Sequence, residues 1–97
     1  MRRSMVERSL RDVHVRLVRA RQELAVLDEQ LAVLNDAADD ARIRSLVSET
    51  PLAGYEYADA QRHADAATRA RASLSDSIGE LERRQDELLG QLVVEPR

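Results

Sequence analysis

The chain has 97 residues, 43% apolar and 34% charged, with a formal net charge of −3. That length holds one domain at most, and the absence of Cys excludes disulfides, thiolate nucleophiles and Cys-ligated metals. The net acidity argues against a general nucleic-acid binder.

Aromatic residues make up only 2%, with no Phe and no Trp. A compact globule of this size needs bulkier residues to fill its core. Helices packed along a narrow seam do not. Ala, Leu, Glu and Arg dominate, the composition of long helices and coiled coils. Apart from two His, every basic residue is Arg, and Lys is absent. With the abundant Ala, this suggests the codon usage of a GC-rich bacterial genome. The Arg-rich start lacks the apolar core of a signal peptide. No apolar run approaches the ~20 residues that span a bilayer. The expected location is the cytoplasm.

From Val6 onward, apolar residues recur at alternating steps of three and four. They are Val6, Leu10, Val13, Leu17, Ala20, Leu24, Leu27, Leu31, Leu34, Ala38 and Ala41, with Ser45 and Ser48 continuing the row. This is a heptad seam with Leu10, Leu17, Leu24, Leu31 and Ala38 at position a. It predicts a first helix over about residues 4–48. Ser4 would be its N-cap, and Glu7 three residues on would complete a capping box. A second apolar stripe lies on the same helix. Val15, Val18, Val26 and Val33 fall within about 80° of one another at ~100° per residue and point away from the seam. Scattered surface valines need no explanation. Gln22 and Glu29 interrupt the stripe, but Val is a mediocre helix former, so four on one stripe suggest a second packing surface, for self-association or for another partner.

The stretch from Ser48 to Tyr57 holds Pro51, Gly54, Tyr55 and Tyr57. Pro does not fit a helix interior, and Gly tolerates the positive φ of a tight reversal. The expected tip is residues 49–55. The heptad rhythm then returns through Tyr57, Ala60, Ala64, Ala67, Arg71, Leu74, Ile78, Leu81, Gln85, Leu88 and Leu92. It predicts a second helix over about 56–93, extended by Val93 and Val94 and closed by Pro96.

Folding the chain at Leu52–Ala53 lets each a residue meet a d residue. The layers then include Val13 with Leu92, Leu17 with Leu88, Leu24 with Leu81, Leu31 with Leu74, Leu34 with Arg71 and Ala38 with Ala67. Large residues meet large ones and small meet small. Charge favours the same antiparallel fold. Residues 2–21 hold seven Arg, and residues 23–40 hold six acids and no base. Folding sets the first block beside Asp76, Glu80, Glu82, Asp86 and Glu87, and the second beside Arg62, Arg69 and Arg71. Arg71 and Gln85 are polar seam residues of the kind that fix register. Arg71 could alternatively lie beside the seam and reach out to Asp36.

No enzyme motif is present. His63 and Asp59, four residues apart, make a carboxylate–imidazole pair, but two ligands fall short of a metal site. Neither metal nor cofactor is expected, and no catalytic residue is assigned. The tip offers Tyr55, Glu56, Tyr57 and Asp59 as partner-binding residues, since exposed aromatics often anchor a partner. Tyr57 could instead pack across Ser48 and close the seam. Arg2, Arg3, Arg8 and Arg11 could contact phosphate, unless carboxylates of the second helix neutralise them.

The run Glu56-Tyr57-Ala58-Asp59-Ala60 after a reversal resembles the hairpin tip of Gre-type transcript cleavage factors. The match covers about five residues. Proteins of that family insert a coiled-coil hairpin into the secondary channel of RNA polymerase, where two tip carboxylates help to hold a catalytic metal. Aligned on Tyr57, those positions are Thr50 and Ala53, so the acids are missing, as is the family's globular domain. The resemblance therefore implies a channel binder without cleavage chemistry. The size also resembles small secreted helical hairpins with a Trp-x-Gly turn, but Trp is absent. The chain is assigned to neither family.

The expectation is an all-α, antiparallel two-helix coiled-coil hairpin that dimerises into a four-helix bundle. Its expected function is non-enzymatic interaction or scaffolding. Tip insertion into a larger enzyme such as RNA polymerase and anion binding through the Arg-rich end are the alternatives.

Overall fold

The computed structural model describes residues 2–94, with side chains to Leu92. Two helices, α1 (Arg2–Ser48) and α2 (Pro51–Val94), pack as an antiparallel hairpin. The helix end expected at Pro96, and the side chains of Val93 and Val94, lie outside the described residues. Helix α1 begins ahead of Ser4, so the expected capping box does not form. Glu7 accepts instead from Nε of Arg3 at 3.2 Å.

The turn is shorter than the sequence suggests. Among the described residues only Glu49 and Thr50 lie outside the helices. Glu49 takes the left-handed conformation, with φ at 52°. Its N–H donates to the Ser45 carbonyl at 3.1 Å, which is the bond that ends a helix with an αL residue just beyond it. Thr50 then caps α2. Its Oγ1 accepts from the Ala53 N–H at 3.2 Å, and its carbonyl accepts from the Gly54 N–H at 3.2 Å. Pro51 is the first helical residue. Its missing N–H costs nothing there, and its fixed φ already suits the helix. Gly54 sits inside α2 without a positive φ. The proline and the glycine thus begin the second helix, where the sequence reading had made them the turn.

Heptad burial follows the expected seam. Every seam position from Val6 to Ser45 and from Tyr57 to Leu92 is buried or half-buried. Ser48 is exposed, and Ala53, one heptad before Ala60, joins the seam as a buried residue.

Contacts divide the hairpin into two compact units, residues up to Leu24 with those from Leu74 on, and residues Ala25–Ser73. In the first unit Val6, Val13, Leu17, Ala20, Ile78 and Leu88 form the buried core. Leu10, Leu24, Leu74, Leu81 and Leu92 pack against it. Leu17 is fully buried. In the second unit the buried residues are Ala38, Ala41, Ala53 and Ala64, so small side chains line this part of the seam.

The register differs from the size-matched one by a heptad. A turn centred between Glu49 and Thr50 moves each layer toward the N-terminus. It sets Leu17 near Leu81, Leu24 near Leu74 and Leu34 near Ala64. Three observations agree. Asp28, not Asp36, meets Arg71. Val6, which the size-matched register leaves unpartnered, is buried in one cluster with Leu88. Ala53, placed by that register in the turn itself, is buried. A heptad repeat is unchanged by a slip of seven residues. The pattern therefore admits both alignments, and the two-residue turn selects between them.

Candidate functional site

The predicted tip residues do not share one surface. Tyr55 is exposed (74%), Glu56 and Asp59 are exposed, and Tyr57 is half-buried in the seam. Asp59 accepts from Arg62 at 3.0 Å and lies 4.0 Å from the imidazole of His63. Leu52, also exposed, adds an apolar side chain beside the turn that the sequence reading passed over. The two positions aligned with the acids of transcript cleavage factors have structural roles here. Thr50 caps α2, and Ala53 is buried in the seam.

Arg2, Arg3, Arg8 and Arg11 are all exposed on α1. Arg3 is paired with Glu7. Arg2 lines an open depression with Met5, Ser9 and Leu88, and Arg8 lines another with Asp12, Arg16 and Leu81. Helix α2 contributes Arg84 to both depressions. Of the carboxylates expected to neutralise this end, Glu82 pairs across the helices with Arg21 at 3.1 Å. In the second unit Arg71 donates from Nε to Asp28 Oδ1. That hydrogen bond, reinforced by the Asp28 charge, raises the Arg71 pKa and holds the guanidinium protonated. Arg71 therefore reaches out of the seam to a carboxylate, as the snorkelling reading required, but its partner is Asp28.

The four valines are exposed, Val15 and Val18 in the first unit and Val26 and Val33 in the second. Met5, Ile43, Leu46 and Val47 join them. These eight are all the exposed large apolar side chains among the described residues of α1; α2 has Leu52, Tyr55 and Leu89. All eight occupy heptad positions b, c or f, which lie opposite the a/d seam. The sequence reading followed this stripe only to Val33. The signal for the rest was available, because Val47 stands two heptads after Val33 at the same position c and Ile43 four heptads after Val15 at f.

Among the described residues no group of three or more His, Asp or Glu converges as metal ligands. No described helix is long and apolar enough to cross a membrane. What the α1 stripe can supply is apolar contact area along one helix face, interspersed at the same b, c and f positions with the exposed charges of Arg8, Arg11, Arg19, Asp36, Asp39 and Asp40. No protein-family model, curated protein or solved structure matches the chain.

Proposed function

We propose that the chain is a cytoplasmic, non-enzymatic coiled-coil hairpin that works by protein–protein contact and self-associates through the outer face of α1. The observation that supports this reading is the exposure of eight large apolar side chains on the helix face the hairpin seam does not use. Scattered exposed apolar residues are ordinary, but a stripe of them marks an interaction surface. A two-helix hairpin with an alanine-lined half buries little on its own, and a partner on this stripe supplies the missing apolar contact. Sedimentation of the wild-type chain beside Val26→Glu and Val33→Glu tests the reading. A dimer that dissociates in the variants, with helicity unchanged, supports it. A wild-type monomer across micromolar concentrations removes it.

A second reading is insertion of the tip into a larger enzyme such as RNA polymerase, as the Gre-like shape suggests. The exposure of Leu52 and Tyr55 beside a two-residue turn favours it. It predicts that Leu52→Ser with Tyr55→Ser abolishes polymerase binding and leaves self-association intact. Unchanged polymerase binding counts against it.

A further inference from the structure

We infer that the partner on the outer face of α1 is the α1 of a second copy, lying antiparallel to the first. This inference rests on the self-association reading above and adds orientation and register.

The charge order along α1 decides the direction. On its b, c and f positions the N-terminal half carries Arg8, Arg11 and Arg19 against one acid, Asp12, and the C-terminal half carries Glu29, Asp36, Asp39 and Asp40 with no base; the exposed Arg42 and Arg44 lie at e and g, off this face. A parallel pair sets base against base and acid against acid. An antiparallel pair sets each basic half against the acidic half of the other copy, and like-charge juxtaposition is what such patterns exclude. The same end-to-end reversal is the symmetry of a closed two-fold dimer.

The apolar residues choose the register. Layers of two facing b, c and f stripes repeat by heptads, so only a few alignments keep those positions in contact. One of them sets Ala25 against Val26 across the two-fold axis. It also sets Val18 against Val33 and Arg11 against Asp40, and brings Met5 onto Leu46 at each end. Val18, at 39% the least exposed valine of the stripe, is covered by Val33, while Val47 faces Ser4, Val15 faces Asp36 and Ile43 faces Arg8 at the margins of the contact. One layer, Asp12 with Asp39, is like-charged, and Arg16 lies 3.9 Å from Asp12 beside it. Helix α1 has 47 residues. A contact along its ~70 Å is long enough for the roughly 1,200 Å² or more that stable interfaces bury. Each α1 is then held between its own α2 on the seam and the second copy on its outer face. This arrangement differs from a four-helix bundle around one shared core.

The chain lacks Cys, so single-cysteine variants report geometry directly. Ala25 and Val47 are both exposed. Ala25→Cys places two thiols beside the axis and is expected to form a disulfide-linked dimer under mild oxidation. Val47→Cys places its two thiols ~60 Å apart at ~1.5 Å per residue and is expected not to link. Arg11→Glu and Asp40→Arg are each expected to weaken the dimer about tenfold, and the double variant to recover most of that loss, because the swapped charges meet again across the interface. A dimer in which Val47→Cys links is parallel and overturns the inference while leaving self-association standing. So does a dimer in which neither cysteine links, or one whose charge losses simply add. A strict monomer removes the reading beneath it.

Discussion

Arg71 donates a hydrogen bond from Nε to Oδ1 of Asp28, a residue 43 positions earlier in the chain. The pair joins the helices beside a seam position that an apolar residue would ordinarily fill. It places the α1 acids against α2 bases at a fixed offset, so it reports register as well as charge. The expected consequence is selective. Asp28→Ala lowers the thermal midpoint, whereas Asp36→Ala, the partner implied by size matching, leaves it unchanged. Equal effects of the two would contradict the register. Arg71→Leu raises the midpoint, since an apolar residue at a suits the seam better. Because Asp28 raises the Arg71 pKa, the contribution is complete across the neutral range and up to the guanidinium's unfolded pKa. It is lost in strong alkali as pH rises through the folded value. A thermal midpoint followed from about pH 5 to 10 carries no Arg71 step.

The turn gives a second prediction, opposite to what its composition suggests. Glu49 holds a positive φ that Gly adopts freely, so Glu49→Gly is expected to stabilise by roughly 1 kcal/mol. Gly54 lies in the helix, and a Cβ added there meets nothing within 4 Å. Gly54→Ala is therefore expected to stabilise by about 1 kcal/mol as well. Thr50→Ala loses the cap and costs about 1 kcal/mol. Urea unfolding of the three variants checks all of this. A destabilised Gly54→Ala would restore glycine as the turn residue.

Burial ranks the seam leucines. Leu17 has no exposed surface and Leu24 is half-buried. Leu17→Ala is expected to cost about 2–5 kcal/mol and Leu24→Ala less than Leu17→Ala. Val33→Ala, with 68% of the side chain's residue surface exposed in the single hairpin, is expected to leave the stability of an isolated hairpin within about 0.5 kcal/mol. Denaturation at several protein concentrations separates this monomer effect from any loss of dimer.

The order of the seam residues was legible in the sequence because a heptad row is a local signal, carried by spacing alone. From Val6 to Ser45 and from Tyr57 to Leu92, each predicted position is at least half-buried. Register was not legible, since spacing is the same after a slip of one heptad. Matching side-chain size chose the wrong alternative, because the two-residue turn and not equality of size sets the offset. Pro51 and Gly54 marked the place of the reversal but not its residues. Pro suits the first turn of a helix, and the left-handed position went to Glu49, which no propensity favours. The outer stripe was half-read. Its valines announced it, but Asp36, Asp39 and Asp40 interrupt the row before Ile43, Leu46 and Val47 resume it.

The central claim, self-association through the outer face of α1, is tested most directly by sedimentation equilibrium of the wild-type chain and of Val18→Glu/Val33→Glu at micromolar concentrations. The account predicts a dimer for the wild type and a monomer of equal helicity for the variant. A wild-type monomer, or a dimer that survives both substitutions, would contradict it.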